Sequence, residues 1–144
     1  MEVGLYTFGG LTADPLTGQR IGAPERYRQV LQLAQLAEQA GLDVFGVGEH
    51  HRPDLPISSP AVMLAAIGAT TRRLRLVSAV TILSTLDPVR VFQDYATADL
   101  CSEGSVEISA PCLGRPRSRC SSSSPPRSPL RCGARRPLPE GGGR

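Results

Sequence analysis

Glu49, His50 and His51 stand side by side, and the two histidines are the chain's only ones. An imidazole moves a proton near neutral pH with little tuning, so a histidine pair is a candidate acid/base. The triplet follows Val44, Phe45 and Val47, an apolar stretch that reads as a strand. In parallel α/β folds the carboxyl ends of strands form the reactive face, which places the imidazoles at the mouth of a sheet. The competing reading is a loop histidine pair making a structural hydrogen bond. A shared metal fits poorly. Consecutive residues on an extended segment face opposite sides, so His50 points away from Glu49 and His51, and no metal site is expected.

The other candidate strand ends supply context. Phe8-Gly9-Gly10 forms a floor where glycine lets a flat ligand approach the backbone. Ala79 to Leu83 forms an apolar wall. Asp87 reads as a helix cap, and Arg90 as a surface or ion-pair residue beside Thr85. Gly46-Val47-Gly48 lacks a third glycine and leads into histidines rather than a helix, so it is not a dinucleotide fingerprint. Cys112, Cys120 and Cys132 match no zinc spacing.

These positions need a scaffold, and residues 1–110 alternate between two periods. Val3 to Phe8 reads as a buried strand. Pro24 and Glu25 open a helix whose inner face is Tyr27, Val30, Leu31, Ala34 and Ala37, with Gly41 as its stop. Asp43 to Gly48 is a second strand. Ser59-Pro60 is a cap and first-turn pair opening a helix to about Ala69. Leu74 to Leu83, rich in β-branched residues, is a third strand. Asp87-Pro88 opens a third helix with Val89, Phe92, Ala96 and Leu100 inward, and Val106 to Ala110 is a fourth strand. Strands alternating with helices imply right-handed crossovers and a parallel sheet. The expected fold is α/β: β-α-β-α-β-α-β, the N-terminal half of a (βα)8 barrel or a small doubly wound sheet. A closed eight-fold barrel needs at least ~200 residues.

Composition divides the 144 residues unevenly. Residues 1–110 hold eight Arg, twelve acids and all six aromatics; residues 111–144 hold eight Arg, one acid (Glu140) and seven Pro. The second part is expected to be a disordered Arg/Pro/Ser-rich tail, because it offers too little apolar surface to offset its ordering entropy. The start lacks a basic region followed by an apolar one, and Leu55 to Thr71 is broken by Pro56 and Pro60, so neither a secretory leader nor a membrane span is expected. The expected location is cytoplasmic, with no disulfides.

The blocks Val3 to Gly9, Gly41-Leu42-Asp43 through His51, and Thr81 through Arg90, with Gln93, Asp94, Asp99-Leu100 and the Ser102-x-Gly104 corner, resemble the bacterial luciferase-like flavin monooxygenases. The resemblance covers about residues 1–110. It implies a TIM-type barrel that uses reduced FMN, or the related deazaflavin coenzyme, with dioxygen on a small organic substrate. A reductase would supply the reduced flavin, and homo-oligomers or self-association are expected. His50 matches the family's catalytic histidine. Ala79 and Val80 match a backbone site that packs on the flavin ring, often through a non-prolyl cis peptide, and Gly9 lies on the cofactor side.

Past the corner the match departs. Ser105 and Cys112 stand where the family has Arg, and Pro111 where it has a small residue. A frame change near codon 111 accounts for this, since out-of-frame reading of GC-rich coding yields the tail's vocabulary. The alternative is a non-enzymatic half-barrel whose basic tail binds nucleic acid weakly.

Overall fold

The computed structural model describes residues 1–110; every expectation placed on residues 111–144 lies outside the described residues. The chain forms β1 (Gly4–Thr7), α1 (Ala23–Gln39), β2 (Val44–Val47), α2 (Pro60–Gly68), β3 (Arg75–Ala79), a 3-10 turn (Leu83–Thr85), α3 (Pro88–Cys101) and β4 (Val106–Ser109). The strands make one sheet in the order β1-β2-β3-β4, each pair parallel, with Tyr6 opposite Gly46 and Gly46 opposite Val77. This is the α/β succession expected, four parallel strands of a TIM-type barrel wall.

Strand alternation sorts the side chains. Phe45, Val47, Leu76 and Ser78 point to one face and are completely buried. The helices cover that face. Val30, Ala34 and Ala37 of α1 are buried, with Tyr27 and Leu31 packed against the same core. Leu64 and Ile67 of α2 are completely buried. Each such aliphatic side chain contributes about 1.5–3 kcal/mol through burial. The opposite face carries Gly4, Tyr6, Val44, Gly46, Val77 and Ala79, which with Leu5 and Val80 line a concave cavity of about 420 Å³.

Helix ends follow local chemistry. Gly41 takes φ 79°, donates to the Glu38 carbonyl at 3.1 Å, and lets Leu42 donate to the Ala37 carbonyl at 3.0 Å. This pair of bonds is a Schellman closure, which needs the left-handed conformation glycine adopts freely. Asp87 caps α3 as expected, its Oδ1 accepting the Arg90 N–H at 2.9 Å. Ser59 does not cap α2 with its side chain. Its φ of −129° and ψ of 89° lie outside the extended conformation from which Asp87 caps α3.

Three further expectations are corrected. The first strand is not buried: Gly4 and Tyr6 are exposed and Leu5 and Thr7 half-buried, since it pairs on one side only, with β2. The third strand stops at Ala79 rather than Leu83. Beyond it the Ile82 N–H donates to the Glu49 side chain at 3.0 Å, and Leu86 closes on Leu83, so the backbone leaves the ladder despite its β-branched composition. The inner face of α3 is also different. Val89, Phe92 and Leu100 are 62%, 68% and 82% exposed and Ala96 is half-buried, whereas Val91, Tyr95 and Ala98 turn inward. Both stripes have helical spacing. The sheet takes the one containing Tyr95, whose hydroxyl finds a partner beyond β3.

Candidate active site

The carboxyl ends of β2 and β3 bring the site together. His50 leaves β2 with its backbone N–H donating to the Ile57 carbonyl at 2.9 Å. Its ring meets Phe8 edge-on, with centroids 4.6 Å apart, and Phe8 meets Tyr6 in the same way at 4.8 Å. Phe8 reaches this position because residue 48 is glycine: a Cβ there would fall 2.7 Å from the Phe8 Cδ1. The imidazole Nε2 is buried and has no hydrogen-bond partner.

Gly9 holds the other side. It takes φ 62°, and a Cβ on it would lie 2.5 Å from the Cδ1 of Ile57, which is completely buried. Packing against Ile57 therefore accounts for the glycine, and Ile57 in turn anchors the His50 backbone. Ala79 and Val80 line the concave cavity, and the peptide between them is cis.

Glu49 pairs with His51, as alternation along an extended segment requires, and leaves His50 alone. Its Oε1 lies 2.9 Å from His51 Nε2, and its Oε2 accepts the Ile82 N–H at 3.0 Å. The Glu49 side chain is 2% exposed while that of His51 is 59% exposed. No sequence signal marked this second contact, which spans 33 positions.

Behind the exit of β3 lies a buried polar cluster that sequence reasoning also missed. The Thr81 N–H donates to the Ser109 carbonyl at 2.8 Å, and the Ser109 N–H donates to Ser78 Oγ at 3.0 Å. The Thr81 and Tyr95 hydroxyls are hydrogen-bonded to each other. Burial pushes the Tyr95 phenol up from its ordinary value, and the Glu49 carboxylate adds to this against the opposing hydrogen bonds of Ser78 and Thr81. The segment from Ser78 to Ile82 is thus tied at Ser78, Thr81 and Ile82.

Other candidates have structural duties. Arg90 lies 3.6 Å from Asp94, and the Thr85 hydroxyl donates to the Ile82 carbonyl at 3.0 Å. Among the described residues no three His, Cys, Asp or Glu side chains gather around a common point, and no helix is long and apolar enough to cross a membrane.

Comparison with known proteins agrees with this architecture. Over 94 residues the chain is 30% identical to the N-acetyl-S-alkylcysteine monooxygenase of Bacillus subtilis, covering 65% of this chain and 28% of that protein. The oxygenating constituent of 3,6-diketocamphane monooxygenase from Pseudomonas putida, solved with FMN, superposes with a TM-score of 0.68 at 18% identity, covering 81% of this chain and 31% of that one. The coenzyme F420 dependent tetrahydromethanopterin reductase of Methanopyrus kandleri shares the fold at a TM-score of 0.56 and 19% identity, covering 76% and 26%. The chain spans under a third of the length of each. The sequence model of the luciferase-like monooxygenases matches residues 1–109. With that match over three quarters of its length, the chain belongs to the luciferase-like monooxygenase family.

Proposed function

We propose that residues 1–110 form the ring-facing part of a reduced-flavin site in a monooxygenase that uses dioxygen on a small organic substrate. The observation that carries this reading is the His50 Nε2, buried beside Phe8 with no partner. An unsatisfied buried polar atom costs about 1–3 kcal/mol, so a bound group that hydrogen-bonds this nitrogen is favoured there. A flat heteroaromatic ring fits the residues present. Ala79 and Val80 give a small apolar wall, and Tyr6 and Phe8 an aromatic flank.

In this reading each residue has one task. His50 holds or moves a proton at Nε2, Phe8 fixes the imidazole plane, and Ile57 anchors its backbone. Ala79 and Val80 pack on the ring, and Gly9 keeps the floor compact. Reduced flavin, when bound, supplies the electron pair for reaction with dioxygen. FMN is the preferred form, in line with the FMN-bound Pseudomonas relative; the Methanopyrus relative favours the deazaflavin coenzyme as the second choice. A separate reductase supplies the reduced flavin, since the Pseudomonas relative is itself described as an oxygenating constituent.

The test is FMN titration of the chain by fluorescence quenching, followed by oxygen uptake with reduced FMN. Wild type should quench FMN. His50→Ala should still quench it while the protein-dependent oxygen uptake, measured above that of free reduced FMN, falls by about 100-fold or more, the usual contribution of an acid/base group. Protein that leaves FMN unquenched but is retained on DNA in a salt-sensitive way would replace this reading with the nucleic-acid alternative.

A further inference from the structure

We propose that Glu49 is a positioning residue that locks the exit of β3 to the exit of β2, and so sets the Ala79–Val80 wall relative to His50. The inference rests on the flavin reading above. The two strands are hydrogen-bonded neighbours, and Val47–Ser78 is the last pair of their register. Glu49 bridges them there. One carboxylate oxygen takes the Ile82 N–H, two residues past Val80, and the other takes His51 Nε2, next to His50.

A side chain 2% exposed loses nearly all its hydration, which is costly unless its oxygens find donors. Here each oxygen has one. The geometry depends on reach. Aspartate keeps the charge but is one methylene shorter, so it cannot serve both donors. Glutamine keeps the reach: its Oε1 accepts the Ile82 N–H, and its amide donates to His51 Nε2 when that ring carries its proton on Nδ1. Glu49→Asp and Glu49→Gln therefore separate position from charge.

The readout is the hydrogen exchange of single amides by NMR, which needs no cofactor, alongside FMN quenching. In Glu49→Asp and Glu49→Ala the Ile82 amide should exchange about tenfold faster or more, and FMN should bind about tenfold more weakly. In Glu49→Gln both should stay within about twofold of wild type. The Thr81 amide, bonded to the Ser109 carbonyl, is the internal control and should be unchanged in all three. Ile82 protection that survives Glu49→Asp, or that is lost in Glu49→Gln, overturns the proposal. Should Glu49→Ala fail to fold, the Asp and Gln variants decide. Should wild type not quench FMN, the flavin reading fails by itself, and the lock still stands or falls on Ile82 exchange.

Discussion

Replacing Tyr95 with Phe isolates the buried hydroxyl pair behind β3. The Phe ring fills the same volume, so the change removes one hydroxyl and leaves its partner stranded. Thr81 is 1% exposed and Tyr95 7%, so water cannot take the place of the lost partner. An orphaned buried hydroxyl costs about 1–3 kcal/mol, and Tyr95→Phe should lower stability by that amount. Thr81→Val, which is similar in shape, should cost less, because the phenol keeps Ser78 as a partner. The double variant removes both partners and should cost less than the sum of the two, giving a coupling of about 1–2 kcal/mol. Urea unfolding at pH 7 followed by circular dichroism measures all four corners of the cycle. Costs that add to within about 0.5 kcal/mol would refute the pairing. A pH arm checks the same group. The Tyr95 phenol is raised above its ordinary 10.0 in the folded state, so its contribution is complete below pH 10 and is lost as pH rises through the folded value. The stability gap between wild type and Tyr95→Phe should therefore narrow above pH 10.

The remaining outcomes concern the frame around the site. Glu38 Oε1 accepts the N–H groups of Arg72 and Arg73 at 2.7 and 2.5 Å; burial opposes its ionisation, but these bonds hold its carboxyl below the ordinary 4.5. Glu38→Ala should cost about 0.5–1 kcal/mol at neutral pH after solvent screening. The gap should close as pH falls below 4.5, because a lowered carboxyl contributes only above its folded value; a gap independent of pH would contradict the clamp. Gly9→Ala should cost about 2–4 kcal/mol, from the positive φ together with overpacking against Ile57. Adding Ile57→Val removes the Cδ1 that the new methyl meets, so the double variant should have a higher urea midpoint than Gly9→Ala alone. A lower midpoint would show that the contact is not the cause.

Much of the architecture was legible because it rests on local periods. Val30, Ala34 and Ala37 recur on one helical turn after another, Gly41 and Asp87 are end signals, and the strands separate themselves as short apolar, β-branched runs. The opposite orientation of His50 to Glu49 and His51 also follows from extended geometry alone. Where two patterns were equally periodic, the chain alone could not choose. In α3 the stripe of Val89, Phe92, Ala96 and Leu100 is as helical as that of Val91, Tyr95 and Ala98, and burial went to the second.

The linear order thus determined the α/β succession, the helix boundaries and the place of the histidines at a strand end, since each depends on residues within a few positions of one another. Folding alone decided which face of α3 turns inward, that β3 ends at Ala79, that Ile57 fills the space over Gly9, and that Glu49 reaches Ile82. Those outcomes depend on partners 14 to 48 positions apart, whose meeting is set by how the sheet and helices pack and not by any neighbouring residue.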